Sequence, residues 1–184
     1  MTDIDFWSFF RLSQIMRYTI SLTSFLLALS ILIAPAAAPA HPDFSGRWEL
    51  DAAKSEGLPP DMKQSMTVKQ AGDRIEVETK ISGPGGDRTI NDSYSLDGKP
   101  AEFTPAVLGG DGKAKKGTRS ASWSADGSGI DITEEAEIEN SEGTDTIKGK
   151  RTWRLSDGGK VLTIEIDLAG ERGAIKSKRV YRKQ

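Results

Sequence analysis

Beyond residue 40 the chain alternates. Ile75-Glu76-Val77-Glu78-Thr79-Lys80-Ile81 carries apolar and polar side chains at successive positions, as do the stretch from Ile130 to Ile138 and Leu162-Thr163-Ile164-Glu165-Ile166-Asp167-Leu168. A period of two sends neighbouring side chains to opposite faces, so each run predicts a half-buried strand. Turn chemistry separates the runs: Gln70-Ala71-Gly72-Asp73, Gly83-Pro84-Gly85-Gly86, Leu96-Asp97-Gly98-Lys99, Ala125-Asp126-Gly127-Ser128, Ser156-Asp157-Gly158-Gly159 and Gly170-Glu171-Arg172-Gly173. The predicted strands are 44–51, 64–70, 73–82, 87–96, 100–105, 118–124, 129–139, 144–155, 160–168 and 174–182. The one helix candidate past residue 40 is Pro59 to Gln64, and Gly109 to Gly117 reads as a Gly- and Lys-rich loop. Consecutive hairpins with one apolar face form a sandwich or an up-and-down barrel. Closure removes exposed edges and favours the barrel.

The first forty residues break this pattern. Arg11 and Arg17 precede the largely apolar stretch Ile20 to Ile33, and small residues follow as far as Ala38-Pro39-Ala40. A basic flank, a short apolar core and a small-residue exit are the parts of a secretory signal peptide, with cleavage expected before His41. An uncleaved anchor is the competing reading, but the core falls short of the roughly 20 apolar residues a bilayer crossing needs. Asp3 and Asp5 are unusual so early in such a segment, and Met16-Arg17 makes a more ordinary start. The expected organisation is a signal peptide at 1–40, then one barrel domain at 41–184, periplasmic or secreted.

Composition narrows the chemistry. The chain has 184 residues, no Cys, one His and a formal charge of −2. Without Cys there is no disulfide, no thiol nucleophile and no Cys/His zinc cluster. A near-neutral balance gives no footprint for nucleic acid. His41 has no Ser or Asp constellation around it in the sequence, and no carboxylate pair is singled out for hydrolysis. The acidic run from Asp131 to Asp145 lacks the spacing of a calcium loop, and its alternate members belong on a solvent face. Lys113, Lys115, Lys116 and Arg119 form one basic patch, and Lys176, Lys178, Arg179, Arg182 and Lys183 another. Such charge protects strand edges.

The two ends of the domain carry its most specific residues. Phe44, Gly46, Trp48 and Leu50 share one face of the first strand. Gly46 permits close approach of another side chain, and Trp48 is large enough to plug one end of a barrel. In an up-and-down barrel the last strand pairs with the first, so Arg179 or Arg182 is expected across the Trp48 indole. Gly46-Arg47-Trp48 resembles the G-x-W signature that opens lipocalins. Phe44-x-Gly46-x-Trp48-x-Leu50 is similar to the opening of intracellular fatty-acid-binding proteins, and Arg179-Val180-Tyr181 has the form of the R-x-Y pair that holds the ligand carboxylate in that family. Arg151 or Arg154 stands where a second Arg assists. The segment from Asp43 to Ser55 also looks like the opening of small exported bacterial proteins. The resemblance to calycins implies an all-β, single antiparallel up-and-down calycin-like barrel of 8–10 strands. It departs from the fatty-acid-binding proteins after the first strand, because Gly57, Pro59 and Pro60 leave no room for a helical lid.

The expected ligand-binding residues are Arg179, Tyr181, Arg151 and Trp48, with no catalytic residue, metal or cofactor. Each has a structural alternative. Arg179 can cap Trp48, Tyr181 can fill the core, and Arg151 can pair internally with Glu134, the preferred reading for that Arg since buried charges need partners. Arg179, Tyr181 and Ile175 share parity and are expected to face inward together. Two function classes follow. The first is an exported, non-enzymatic binder of a small apolar or amphiphilic ligand, with or without an anionic head. The second is an envelope structural or interaction module whose barrel is packed by its own side chains. Neither calls for nucleic acid, for a membrane span after cleavage, or for a particular oligomeric state.

Overall fold

The computed structural model describes residues 41–184 apart from 85, 107–112, 142 and 172. The expected signal peptide, including any helix in it and its cleavage point, lies outside the described residues. The described part is an antiparallel meander. Its strands are β1 Gly46–Leu50, β2 Lys63–Ala71, β3 Arg74–Ser82, β4 Arg88–Ser95, β5 Ala101–Phe103, β6 Lys113–Ala114, β7 Gly117–Trp123, β8 Gly129–Asn140, β9 Gly143–Ser156, β10 Val161–Gly170 and β11 Gly173–Lys183. They form one sheet in the order β4-β3-β2-β1-β11-β10-β9-β8-β7-β5, with β6 paired to β8. The first strand pairs with the last, Trp48 opposite Lys183 and Leu50 opposite Tyr181. The expected all-β up-and-down curl is the one the chain adopts.

Short turns set the registers. At the β9–β10 hairpin Asp157 has φ 51° and Gly158 φ 60°. Gly159 follows at φ 81°, so three successive residues are left-handed, which is why two glycines stand in this four-residue turn. The strand pairing then runs unbroken from Val161–Ser156 to Ala169–Lys148.

Three expectations need correction. Pro59 to Gln64 is not a helix. Asp61 takes a left-handed φ of 58°, and Gln64 belongs to β2, where it alternates with Met66 and Val68. The turn that does form is a 3-10 turn at Ala52–Lys54. Within the expected loop 109–117, Lys113–Ala114 pairs with Ile138 and Glu139 as a two-residue strand. Closure is also less complete than a continuous ladder. Between β4 and β7, Gly98 N donates to Ala121 O at 2.9 Å and Asp97 bridges Ser122 at one end. Further along, side chains span the seam: Arg119 Nη1 to Asp92 Oδ1 at 2.7 Å, and Arg119 Nη2 to the Ser93 carbonyl at 3.0 Å.

The core occupies the end of the barrel where β1 and β11 meet. Phe44, Trp48, Met66, Val68, Ile75, Val77, Tyr94, Ile130, Ile132, Trp153, Leu162, Ile164 and Tyr181 are buried there in one cluster. Trp48 is 1% exposed and its Nε1 donates to the Phe44 carbonyl at 3.0 Å. The cation across its ring is Lys183, with Nζ 5.2 Å from the centroid, rather than Arg179 or Arg182. Pairing explains the exchange. Lys183 stands opposite Trp48, whereas Arg182 stands opposite Glu49, on the other face, and bonds Asp51 Oδ2 at 2.9 Å. Gly46, at φ 136°, makes room for this contact, because a Cβ there would lie 2.6 Å from Lys183 Cε. Ile175 keeps the parity of Arg179 and Tyr181, paired with the cavity-lining Leu168, but it is not buried. It is 62% exposed near the β10–β11 tip, well beyond the three residues of β11 that pair with β1.

Candidate functional site

A polar layer lies directly on the packed core. Gln64, Thr79, Asp92, Arg119, Glu134, Arg151 and Arg179 come from seven different strands. Each stands two residues from a core side chain of its own strand: Met66, Val77, Tyr94, Ala121, Ile132, Trp153 and Tyr181 respectively. Period-two alternation therefore turns all seven inward. Beyond them the interior is apolar again, with Ile81, Ile90, Ala136, Ile138, Ile147, Ile166 and Leu168 around a cavity of about 190 Å³. A smaller void of about 50 Å³ adjoins it toward the core and shares Gln64, Thr79, Asp92, Arg151, Ile166 and Arg179 with it. The interior is thus packed at one end and hollow at the other, with ionisable groups at the boundary.

Most charges in the layer pair with one another. Arg151 Nη2 meets Glu134 Oε1 at 2.7 Å, with the two side chains 30% and 9% exposed. This is the internal pair that alternation along β8 and β9 suggested. Burial opposes the Arg151 charge, but the neighbouring Tyr94, Glu134 and Asp92 together hold its pKa above the ordinary value. Arg119 pairs with Asp92, and its guanidinium lies 4.3 Å from the Tyr94 ring centroid and 4.8 Å from that of Phe103. Burial pushes the Tyr94 hydroxyl up to about 12.

Arg179 is different. Its Nη1 donates to Gln64 Oε1 at 3.1 Å, and its charge acts on the neighbouring Tyr181 hydroxyl. Among the described residues no carboxylate forms an ion pair with it, and its Nε is buried without a hydrogen-bond partner. Burial pushes the Tyr181 pKa up while the Arg179 charge opposes the rise. The layer holds three guanidinium groups and two carboxylates, and Arg179 carries the excess.

The expected site residues divide accordingly. Arg179, Tyr181 and Arg151 come together around the smaller void, and Arg179 and Arg151 reach the larger one. Trp48 lines neither and belongs to the packed end. Sequence reasoning missed Arg119, Asp92 and Gln64. Arg119 was grouped with exposed lysines, yet its side chain is 10% exposed. The signal was present: Arg119 alternates with Ala121 and Trp123, Asp92 with Ile90 and Tyr94, and Gln64 with Met66 and Val68. Asp145 also departs from the expected acidic solvent face. It is 5% exposed and accepts from the Glu171 backbone N–H at 2.9 Å.

Outside the barrel, Asp92, Phe103 and Arg119 also line a cleft between β4 and β5. These three side chains therefore form the wall between that cleft and the interior cavity. His41 stacks on Trp123 with ring centroids 4.1 Å apart and planes 3° off parallel, and its Nδ1 lies 3.5 Å from the Gly127 carbonyl. Trp123 Nε1 in turn donates to Asp73 at 3.1 Å.

No protein-family model matches the chain, and no curated protein matches it. Among solved structures it is similar to zebrafish ileal bile acid-binding protein complexed with cholic acid, at 20% identity over 77% of this chain and 98% of that one, with a TM-score of 0.46. It is similar to the REP1-NXSQ fatty acid transporter at 14% identity, covering 77% and 96%, with a TM-score of 0.48. It is also similar to apo Caenorhabditis elegans lipid binding protein 8 at 11% identity, covering 77% and 95%, with a TM-score of 0.49.

Proposed function

We propose that this protein is an exported, non-enzymatic carrier of a compact amphiphile, held in the interior cavity with an anionic head at Arg179. The observation that carries the proposal is the Arg179 guanidinium, which lines the cavity with no carboxylate paired to it among the described residues. A cation in such surroundings needs compensation. A ligand carboxylate in contact with Arg179, beside Gln64 and Tyr181, supplies it with a charge-assisted hydrogen bond. The apolar wall of Ile81, Ile90, Ile138, Ile147 and Leu168 suits the remainder of such a molecule.

Size sets the class. An apolar cavity of about 150 Å³ takes benzene, and drug-sized ligands occupy roughly 300–1,000 Å³. The voids of about 190 and 50 Å³ suit a short-chain acid or the head and first carbons of a longer one. The same modest volume is the feature that favours the second reading, a barrel filled by its own side chains. Export rests on residues 1–40, and no described helix is long and apolar enough to cross a membrane. The non-enzymatic reading draws support from His41, whose ring is engaged with Trp123 and Gly127 rather than with a nucleophile.

The test is calorimetric titration of the protein with octanoic acid and with octanol. Saturable binding that prefers the acid, and that weakens about tenfold or more in Arg179→Gln, is the expected result, one charge-assisted hydrogen bond being worth that much. Binding of neither compound transfers the assignment to the packed-barrel module.

A further inference from the structure

The Glu134–Arg151 pair is incomplete in a way the anionic head does not repair. A bidentate guanidinium–carboxylate contact uses two nitrogens and two oxygens. Here one of each is engaged, Nη2 with Oε1 at 2.7 Å. Glu134 Oε2 and Arg151 Nε are both buried and have no hydrogen-bond partner. Glu134 is 9% exposed, so bulk water does not stand in. One orphan is an acceptor, the other a donor, and both belong to side chains that line the cavity.

We propose that the ligand bears a hydroxyl group as well as its anionic head, and that Glu134 and Arg151 are the subsite that selects it. This rests on the reading of the cavity as a ligand site. A hydroxyl is the smallest neutral group that both donates and accepts, so a single one can donate to Glu134 Oε2 and accept from Arg151 Nε. An ammonium group is the wrong choice, because Arg151 already sits 2.7 Å from the other carboxylate oxygen and repels a second cation. An ether or ketone oxygen accepts only and leaves Oε2 unmet. Both atoms are closed over in the present packing, so a ligand hydroxyl reaches them as the two side chains turn, and the broad terminal torsion of a Glu side chain permits its share of that turn. The selected class is therefore a hydroxylated acid. A plain alkyl acid satisfies Arg179 and leaves the second pair as it is.

The experiment measures dissociation constants for octanoic acid and for its monohydroxy derivatives, a set of positional isomers with the hydroxyl moved carbon by carbon. It is run on the unmodified protein and on the double variant Glu134→Leu with Arg151→Met, which removes both charges together and strands neither. The readout is the ratio of the parent's constant to each isomer's within one protein, which divides out any general loss of affinity. At least one isomer is expected to bind the unmodified protein about tenfold tighter than octanoic acid, the size of one net hydrogen bond to a charged group. That ratio is expected to fall below about twofold in the double variant. If the double variant does not fold, Glu134→Gln replaces it, with the amide oxygen kept on Arg151 and a non-accepting NH₂ where Oε2 stands. If octanoic acid binds and no isomer gains, or the gain survives the substitutions, the hydroxyl subsite is overturned and the cavity reading stands. If neither the acid nor any isomer binds, the cavity reading fails and takes the subsite with it.

Discussion

Replacing Arg119 with Ala tests how the barrel is closed. Arg119 is the side chain that ties β7 to β4 where the ladder between them lapses. The substitution removes the 2.7 Å bond to Asp92, the 3.0 Å bond to the Ser93 carbonyl, and the stacking on Tyr94 and Phe103. Breaking one half of a buried ion pair costs about 3–5 kcal/mol, because the other charge is left without a partner. Asp92 retains 22% exposure, so some solvation survives and the lower end applies, about 3 kcal/mol. Urea unfolding followed by Trp fluorescence measures the loss. Hydrogen exchange locates it, and protection should fall first in β4, β5 and β7 and last in β9 and β10, which are paired on both sides. Because the loss comes mainly from the stranded Asp92 charge, Arg119→Ala combined with Asp92→Ala should recover part of it. A loss below 1 kcal/mol, or exchange that rises evenly around the sheet, refutes the seam as the weak point of the barrel.

Four further outcomes follow from the packing and the turns. Trp48→Ala should lose about 3–5 kcal/mol in urea titration, the range for emptying a buried aromatic site. Gly46→Ala should also destabilise, since it places a Cβ at φ 136° and against Lys183 Cε, and truncating Lys183 should leave only the backbone part of that loss. The Tyr94 hydroxyl ionises at about 12 in the folded chain against an ordinary value near 10, so the native state holds that proton more tightly. Stability should be complete below about pH 10 and fall as pH rises toward 12, by about 2–3 kcal/mol at most, with a shallower fall in Tyr94→Phe by alkaline denaturation. Asp126 has the opposite sign. Hydrogen bonds from the Ser124 side chain and then from Ser128 hold its pKa well below the carboxylate range, so its contribution is present above about pH 4 and lost below it. Asp126→Asn should flatten the acid limb of a thermal-stability profile.

Most of the strand pattern was legible because it is written locally. Alternation names the faces, and Gly-containing turns fix the ends within a residue or two of where the ladders stop. The misreadings occur where a distant contact overrides the local pattern. Pro59 to Gln64 has a helix-like look, but Gln64 is captured by β3 and by Arg179. Arg119 follows three lysines in sequence, but it points inward because Asp92, 27 residues earlier, lies across the seam. The Lys183 contact with Trp48 was assigned to an arginine because β1–β11 register, and not composition, decides which cation sits opposite the indole.

The site was half legible for a related reason. Arg179, Tyr181 and Arg151 share faces with apolar neighbours, and an inward charge on an otherwise apolar face is a visible anomaly. The layer as a whole is harder to see, since each strand contributes a single polar residue that looks like noise in its own alternation. Only the sheet, by aligning those interruptions, turns them into a boundary. That boundary has a physical consequence. A polar layer of three guanidinium groups and two carboxylates cannot be packed over by apolar side chains without stranding a charge, so the apolar core has to stop beneath it. The residues above it, Ile81, Ile90, Ile138, Ile147 and Leu168, then face space rather than one another. The void therefore follows from where the charges stand. Removing them is the way to test that order of cause: a variant in which Glu134, Arg151 and Arg179 are all replaced by Leu or Met should gain stability in urea while losing the acid binding proposed for the cavity. A variant that unfolds instead would mean that the charged layer holds the barrel together, and that its excess cation is compensated from within.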